Sequence, residues 1–405
     1  MDDISKVWET LVQPEGGTIV YLVLDGLGGL PDPERGQTEL QVAHTPHLDQ
    51  LAAQSSCGLL DIVGPGITPG SGPGHLALFG YDPLIYAIGR GILSALGIDF
   101  ALQEGDVAAR VNFATIDAQG RITDRRAGRI DTATNRRLCE KIRQAVTLSF
   151  QGEYVFEAVS EHRAVLILRG PDLSGNLCDT DPQSTGVEPH EPTARTEEAH
   201  HTAQIVRSFV TQVRDVLADE QPANMILLRG FDRYRPWPSL ADRFGLKGVC
   251  VADYPMYRGV SRLLGMEALP PPGGLEARLQ ALQSCYGDAY DFYFLHVKHT
   301  DSSGEDADFD AKVQALEAVD RLIPQVTALE PDVLVVTGDH STPAVMGSHS
   351  WHPVPVLLRA RTARIDDVSR FDEYACARGI LGLRPGVHLM GLALAHAGRL
   401  SKYGA

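Results

Sequence analysis

The chain of 405 residues has little cysteine, no long apolar run and a deficit of basic charge. Its six cysteines, Cys57, Cys139, Cys178, Cys250, Cys285 and Cys376, lie far apart without a Cys-x-x-Cys pair. That spacing indicates neither a zinc ribbon nor a dense disulfide scaffold. No apolar stretch approaches the length of a membrane-spanning helix, so no membrane partner is expected. Against 52 Asp+Glu stand only 36 Lys+Arg, a formal charge of −16. Such a surface argues against nucleic acid or an anionic membrane as the main partner, though a local basic pocket could still take a small anion. The opening MDDISKVWETLVQPEGG has no basic and apolar signal-peptide pattern, so a reduced, cytoplasmic enzyme is the expectation.

What is present is enough apolar content, 43% of residues, for a large core. The length exceeds what one core usually organises, which predicts two domains. Short β-branched runs recur: TIVYLVLDG, CGLLDIVG, NMILLRG, GVCVADY, FYFLHVKHT, VLVVTGDH and PVPVLLRA. Apolar on both faces and alternating with helical stretches such as HLDQLAAQS, GGLEARLQALQSCYG and DADFDAKVQALEAVDRLIPQVTAL, they predict an α/β fold with a mostly parallel sheet flanked by helices. The middle differs. DVAARVNFATIDAQGRITDR and EYVFEAVSEHRAVLILRG alternate polar and apolar residues, which suits a half-solvated sheet. Residues 89–235 are therefore expected to form an inserted smaller α+β domain within an α/β domain of 1–88 and 236–405.

Several of the runs end in groups that bind metals. Asp25 closes TIVYLVLDG, and Asp339-His340 follow VLVVTG, the strand ends where α/β proteins gather ligands. Asp-Gly alone could equally be a turn. Asp301 and Glu305 are spaced i, i+4 and would share a helix face, although an acidic helix N-terminus favoured by the dipole is the competing reading. His349 lies nine residues beyond His340 in a Gly/Ser loop. Carboxylates beside imidazoles suit Mn²⁺, Zn²⁺ or Mg²⁺. Ser71 sits in the glycine- and proline-rich GPGITPGSGPGH before an apolar helix start, where amide groups could face a phosphate. A divalent metal would activate its hydroxyl. Basic groups cluster in the middle of the chain, including Arg90, Arg110, Arg125, Arg126, Arg129, His162, Arg163, Arg229 and Arg258, and arginine forks match phosphate and carboxylate oxygens.

Taken together, VLDGLGG, TPHLDQLA, TPGSGPGHLALFGYDP, GRGILSALGI, ARVNFATID, DRRAGRI, the TD of HVKHTDSSG, TGDHSTP and HSWHPVPVLL resemble cofactor-independent phosphoglycerate mutase. The likeness is to the archaeal-type branch of the alkaline phosphatase superfamily, and it runs from about Thr18 to the last strands. It implies interconversion of 3-phosphoglycerate and 2-phosphoglycerate through a phosphoserine on Ser71, without 2,3-bisphosphoglycerate. Two divalent ions are implied, Mn²⁺ foremost, with Mg²⁺, Zn²⁺ or Co²⁺ as alternatives. One would be held by Asp25, Ser71, Asp339 and His340, the other by Asp301, Glu305 and His349. Asp124 is implied as the acid/base and Arg125, Arg229 and Arg258 as substrate contacts, with one domain closing on the other to retain glycerate; Arg90 and His162, from the basic cluster, are expected to contact substrate as well. The partner is a small phosphoglycerate; homo-oligomerisation stays open. Two positions depart from the family pattern. Glu305 stands where histidine is usual, and His352 where aspartate is usual, so either Glu305 ligates directly with His352 behind it, or His352 supplies the missing imidazole, or this site is weakened or lost and the activity differs. A metal-dependent phosphomonoesterase, or another phosphomutase of the superfamily, is the competing function.

Overall fold

The computed structural model describes residues 4–287 and 289–404 and divides into two compact units, Met1–Ala87 with Pro238–Ala405, and Ile88–Trp237. Strands β1 (Ile19–Leu24) and β2 (Ser56–Asp61) precede the second unit, which holds β3 (Val107–Ile116), β4 (Ile122–Asp124), β5 (Glu153–Ser160), β6 (Arg163–Arg169) and β7 (Met225–Arg233). The first unit then resumes with β8 (Gly248–Val251), β9 (Glu267–Ala268), β10 (Phe292–Val297), β11 (Val333–Thr337), β12 (Val354–Ala360) and β13 (Gly382–Pro385).

In the first unit eight strands form one sheet in the order β13-β2-β12-β11-β1-β10-β8-β9. β1, β10 and β11 are buried along their whole length, as expected for strands covered by helices on both faces. β1 runs parallel to β10 and β11, and β10 parallel to β8. β12 is antiparallel to both β11 and β2. The carboxyl ends of β1, β10, β11 and β2 therefore lie at the same edge of the sheet as the start of β12. Asp25, Asp301, Asp339 and the loops holding Ser71 and His349 all leave from that edge, the usual ligand side of an open α/β sheet.

The second unit is a five-stranded sheet of order β4-β3-β6-β5, with β7 paired to β3. Every second residue of β3, namely Val107, Ala109, Val111 and Phe113, joins one core with Leu138, Ile142, Val206 and Phe209 of the helices Thr132–Ala145 and His200–Val216. The two-residue period of a strand thus meets the helical period of its cover.

Two sequence expectations change here. NMILLRG reads as a parallel-sheet run, but it begins β7 and pairs antiparallel with β3. An apolar run does not reveal its partner's direction. The stretch DADFDAKVQALEAVDRLIPQVTAL reads as one helix, yet it forms Phe309–Asp320 and Ile323–Thr327. Pro324 lacks an N–H and sits in the first turn of the second piece, where that costs least. Among the described residues no helix is long and apolar enough to cross a membrane.

Candidate metal and nucleophile site

Asp25 directly follows β1 and has no exposed surface. Its Oδ2 lies 3.1 Å from Lys298 Nζ and 3.3 Å from His296 Nε2 and accepts the Tyr257 hydroxyl. Oδ1 faces His340 Nε2 at 3.2 Å. Burial opposes the charge, but Lys298, His296 and His340 overcome it and hold the carboxyl well below the usual carboxylate range. Gly26, at φ +63°, turns the chain immediately afterwards, and its N–H donates to Asp339 Oδ1 at 3.2 Å.

Asp339 and His340 follow β11 and are fully buried. His340 Nε2 is 3.3 Å from Asp339 Oδ2 and 3.2 Å from Ser71 Oγ. Burial opposes protonation of His340, yet Asp339, Asp25 and Asp301 outweigh it and push the pKa up to about 9. The cluster thus calls for positive charge at this point. Ser71 is the first residue of the helix Ser71–Leu78, where the free N–H groups and the dipole favour an anion. A side chain at Gly74 would run into the Asp339 carbonyl, so glycine lets this helix reach the β11 loop. His75, one turn on from Ser71, bonds the Ser71 carbonyl through Nδ1 at 2.8 Å and lies 3.2 Å from Asp339 Oδ2.

Asp301 lies in the helix His299–Glu305, buried, with Lys298 Nζ on its Oδ2. Its Oδ1 is 3.5 Å from His349 Nε2, and Glu305 Oε1 is 3.7 Å from the same nitrogen. His349 stacks on His340 with ring centroids 3.6 Å apart. The potential ligand atoms form two groups, Asp25–Asp339–His340 and Asp301–His340–His349, each spanning at most 4.8 Å.

His340 cannot serve both groups equally. Thr342 has one hydroxyl proton, directed at Asp301 Oδ1 at 2.6 Å. The same hydroxyl, 2.9 Å from His340 Nδ1, therefore accepts there. This assigns a proton to Nδ1 and, in the neutral ring, turns the Nε2 lone pair toward Asp25, Asp339 and Ser71. His349 Nδ1 likewise donates to the Pro69 carbonyl at 2.9 Å, so its Nε2 lone pair faces the Asp301 and Glu305 oxygens, an arrangement that suits a cation between them. Asp25 Oδ1 and Asp339 Oδ2 are buried without a hydrogen-bond partner among the described residues, a cost a cation would remove. Buried carboxylates with imidazole nitrogens suit divalent Mn²⁺, Zn²⁺ or Mg²⁺, so the residues fit such ions.

His352 stacks on Trp351 and bonds Ser350 Oγ at 3.1 Å, whereas Glu305 approaches His349. Lys298, His296 and Tyr257 join the cluster without having been singled out from the sequence. The lysine between HV and HTD carried the only available hint. His296 lies inside a buried strand, and burial draws it down to about 4 although Asp25 acts against this. Arg258, in the helix Pro255–Leu263, is buried in the same unit.

The second unit assembles its predicted residues in two sets. Arg125 grips Asp181 through Nε at 2.9 Å and Nη2 at 2.8 Å. Arg229 Nη1 lies 3.5 Å from the same carboxylate, and Arg90 is near enough to add to the burial that lowers its pKa. Arg229 lies within β7, which continues through Gly230, at φ +60°, to Arg233 and pairs Arg229 with Arg110 beside a register shift. His162 is buried among Arg163, Arg110, Arg126 and Arg129, and burial followed by those charges draws it down to about 3, so it is neutral. Asp124 accepts from the N–H groups of Arg126 at 2.8 Å and Gly128 at 2.6 Å. Asp181, which organises the first set, stands in the loop DTDP and gave no sequence signal.

A profile of the 2,3-bisphosphoglycerate-independent phosphoglycerate mutase family matches residues 52–224. The chain is 49% identical to a protein of Thermus thermophilus and 47% identical to one of Deinococcus radiodurans, each alignment covering 100% of both chains. Both relatives are named probable 2,3-bisphosphoglycerate-independent phosphoglycerate mutase. A solved protein of Pyrococcus horikoshii is similar with a TM-score of 0.82 at 29% identity, over 96% of this chain and all of the other. The cofactor-independent phosphoglycerate mutase of Thermoplasma acidophilum is similar with a TM-score of 0.66 at 29% identity, over 94% of this chain and all of the other. Likeness near one half in sequence, end to end, together with the same architecture, places the chain: it belongs to the 2,3-bisphosphoglycerate-independent phosphoglycerate mutase family.

Proposed function

We propose that this chain interconverts 3-phosphoglycerate and 2-phosphoglycerate by way of a phosphoserine on Ser71, with two divalent ions, Mn²⁺ foremost, and without 2,3-bisphosphoglycerate. The observation that carries the reading is the Ser71 hydroxyl at a helix N-terminus, 3.2 Å from His340 Nε2, beside two groups of carboxylates and imidazoles. Asp25, Asp339 and His340 would hold one ion with Ser71 beside it. Asp301 and His349 would hold the other, and the His340 tautomer leaves Glu305 as its third protein ligand. Bound there, divalent ions supply charge that stabilises the serine oxyanion and the transferring phosphoryl group.

In the forward direction Ser71 gives up its hydroxyl proton as Oγ attacks phosphorus, the bond from phosphorus to the C3 oxygen breaks, and that oxygen takes up a proton. Glycerate reorients, its 2-hydroxyl loses a proton and attacks the phosphoserine, the bond from phosphorus to Ser71 Oγ breaks, and Ser71 takes its proton back. Asp124 is assigned to the proton transfers at the glycerate hydroxyls. Arg125, Arg229, Arg90 and Arg258 are assigned to the phosphate and carboxylate oxygens. His162, held neutral, is assigned to hydrogen bonding with substrate. The sequence composition fits a cytoplasmic setting.

The test is to supply 3-phosphoglycerate and Mn²⁺ and follow 2-phosphoglycerate against free phosphate. Isomerisation without added bisphosphoglycerate supports the reading. Phosphate release without 2-phosphoglycerate overturns it in favour of a phosphomonoesterase.

A further inference from the structure

Lys312 lies in the helix Phe309–Asp320 with no exposed surface. Its ammonium donates to the main-chain carbonyls of Gly26 at 2.9 Å, Gly28 at 3.0 Å and Thr342 at 2.8 Å. A lysine has three donors and no acceptor, so its capacity is filled by these bonds. The nearby carboxylate oxygen, Glu39 Oε1, is 3.9 Å away and is itself held by the Ala344 N–H at 2.7 Å. Enclosing an ammonium ion is costly, and a lysine of this kind is rarely kept where an apolar side chain would serve.

The carbonyls it gathers belong to the loops that carry the site. Gly26 follows Asp25 and donates to Asp339. Thr342 lies two residues beyond His340, and its hydroxyl bonds both Asp301 and His340. Its N–H also donates to the Gly28 carbonyl at 3.0 Å. Three carbonyl oxygens with a carboxylate nearby resemble the ligand set of a bound monovalent cation, with the protein's own ammonium in the cation's place.

We propose that Lys312 is a positioning residue, a tethered cation that fixes the Asp25 and His340 loops against each other and thereby sets the affinity for divalent metal. The proposal rests on the metal reading above. Burial would hold either loop loosely; a charge drawing on carbonyls of both gives one spacing. Ligand geometry is what supporting hydrogen bonds protect in metal sites, where their loss weakens binding by roughly 10–100-fold.

Two variants test it. Lys312→Met keeps the apolar stem and removes the charge, and Lys312→Ala opens a cavity that a small alkylammonium ion can enter. Mn²⁺ binding to the metal-free chains is measured by calorimetry, beside their thermal unfolding. Both variants should fold and bind Mn²⁺ roughly 10–100-fold more weakly than the parent. The alanine variant should regain affinity in propylammonium chloride but not in tetramethylammonium chloride, and the methionine variant in neither. Affinity unchanged in both variants overturns the proposal. So does a loss that propylammonium fails to reverse, or failure of both variants to fold with or without it, because either assigns Lys312 to the fold alone. A parent chain that binds no Mn²⁺ overturns the metal reading and the proposal with it, whereas a binding parent with unaffected variants overturns only the role of Lys312.

Discussion

Ser71 Oγ stands 3.2 Å from His340 Nε2, and on the proposed route removing that oxygen would remove the acceptor of the phosphoryl group. Ser71→Ala should lower isomerisation by roughly 10³-fold or more while leaving the circular dichroism spectrum unchanged; steady-state kinetics check this, and substantial residual turnover would refute the covalent route. Glu305 makes a different prediction. Because His340 Nε2, the nitrogen a metal would use once Nδ1 is bonded to Thr342, faces Asp25 and Asp339, Glu305→Ala should leave one ion tightly held and weaken the other by roughly 10–100-fold. Anomalous scattering reads the occupancy directly, and two full ions in Glu305→Ala would eliminate Glu305 as a ligand. His352→Ala, by contrast, should keep both ions, since His352 is engaged by Ser350 and Trp351. These residues also mark what could be read in advance. Asp25, Asp339 and His340 were visible because each ends a β-branched run, and Ser71 because its loop is rich in glycine and proline. His296, Tyr257 and Lys312 were not, since a polar group inside an apolar strand or helix acquires its partners only through tertiary contact. Lys298 sat in plain view within HVKHTD, but a single lysine in a polar loop is usually solvated.

Whole elements were legible by period and illegible by pairing. The runs that became β1, β10 and β11 carry enough apolar residues on both faces to require burial, whereas β7 reads the same and lies in the other sheet. The short helix Glu373–Cys376 shows how an element that no periodicity marks can still matter. Glu373 accepts from the Gly29 N–H at 2.8 Å and the Thr38 hydroxyl at 2.7 Å, tying this helix to the chain just beyond Asp25. Burial outweighs those bonds and raises its pKa from the ordinary 4.5 to about 7. A carboxyl raised in the folded state holds its proton more tightly there than in the unfolded chain. Its ionisation therefore costs stability, with no penalty below its ordinary value and the full penalty above the folded one, on the order of 3 kcal/mol. Denaturant unfolding should show the parent losing stability between about pH 4.5 and about pH 7 relative to Glu373→Gln, which keeps an acceptor for Gly29. Parallel pH profiles for the two proteins would refute it.

For the molecule as a whole the governing quantity is an excess of negative charge, −16 by formal count, with Asp25, Asp301 and Asp339 fully enclosed. Ions that bind the folded chain alone stabilise it by mass action, about 2.7 kcal/mol when free ion is a hundred times the dissociation constant. Chelation should accordingly lower the thermal midpoint by several degrees, and Mn²⁺ should restore it; calorimetry with and without chelator decides, and an unchanged midpoint would count against resident ions. The hydroxyl of Thr342 then acquires a meaning beyond its two hydrogen bonds. It accepts from His340 and donates to Asp301, so the orientation of a ligand in one group is coupled to that in the other. Coupling free energy is reciprocal: if filling the Asp301 position eases filling of the Asp25 position, the converse holds by the same factor. Filling one position should therefore change the affinity of the other, and Thr342→Val should turn the two into independent binding steps in calorimetry.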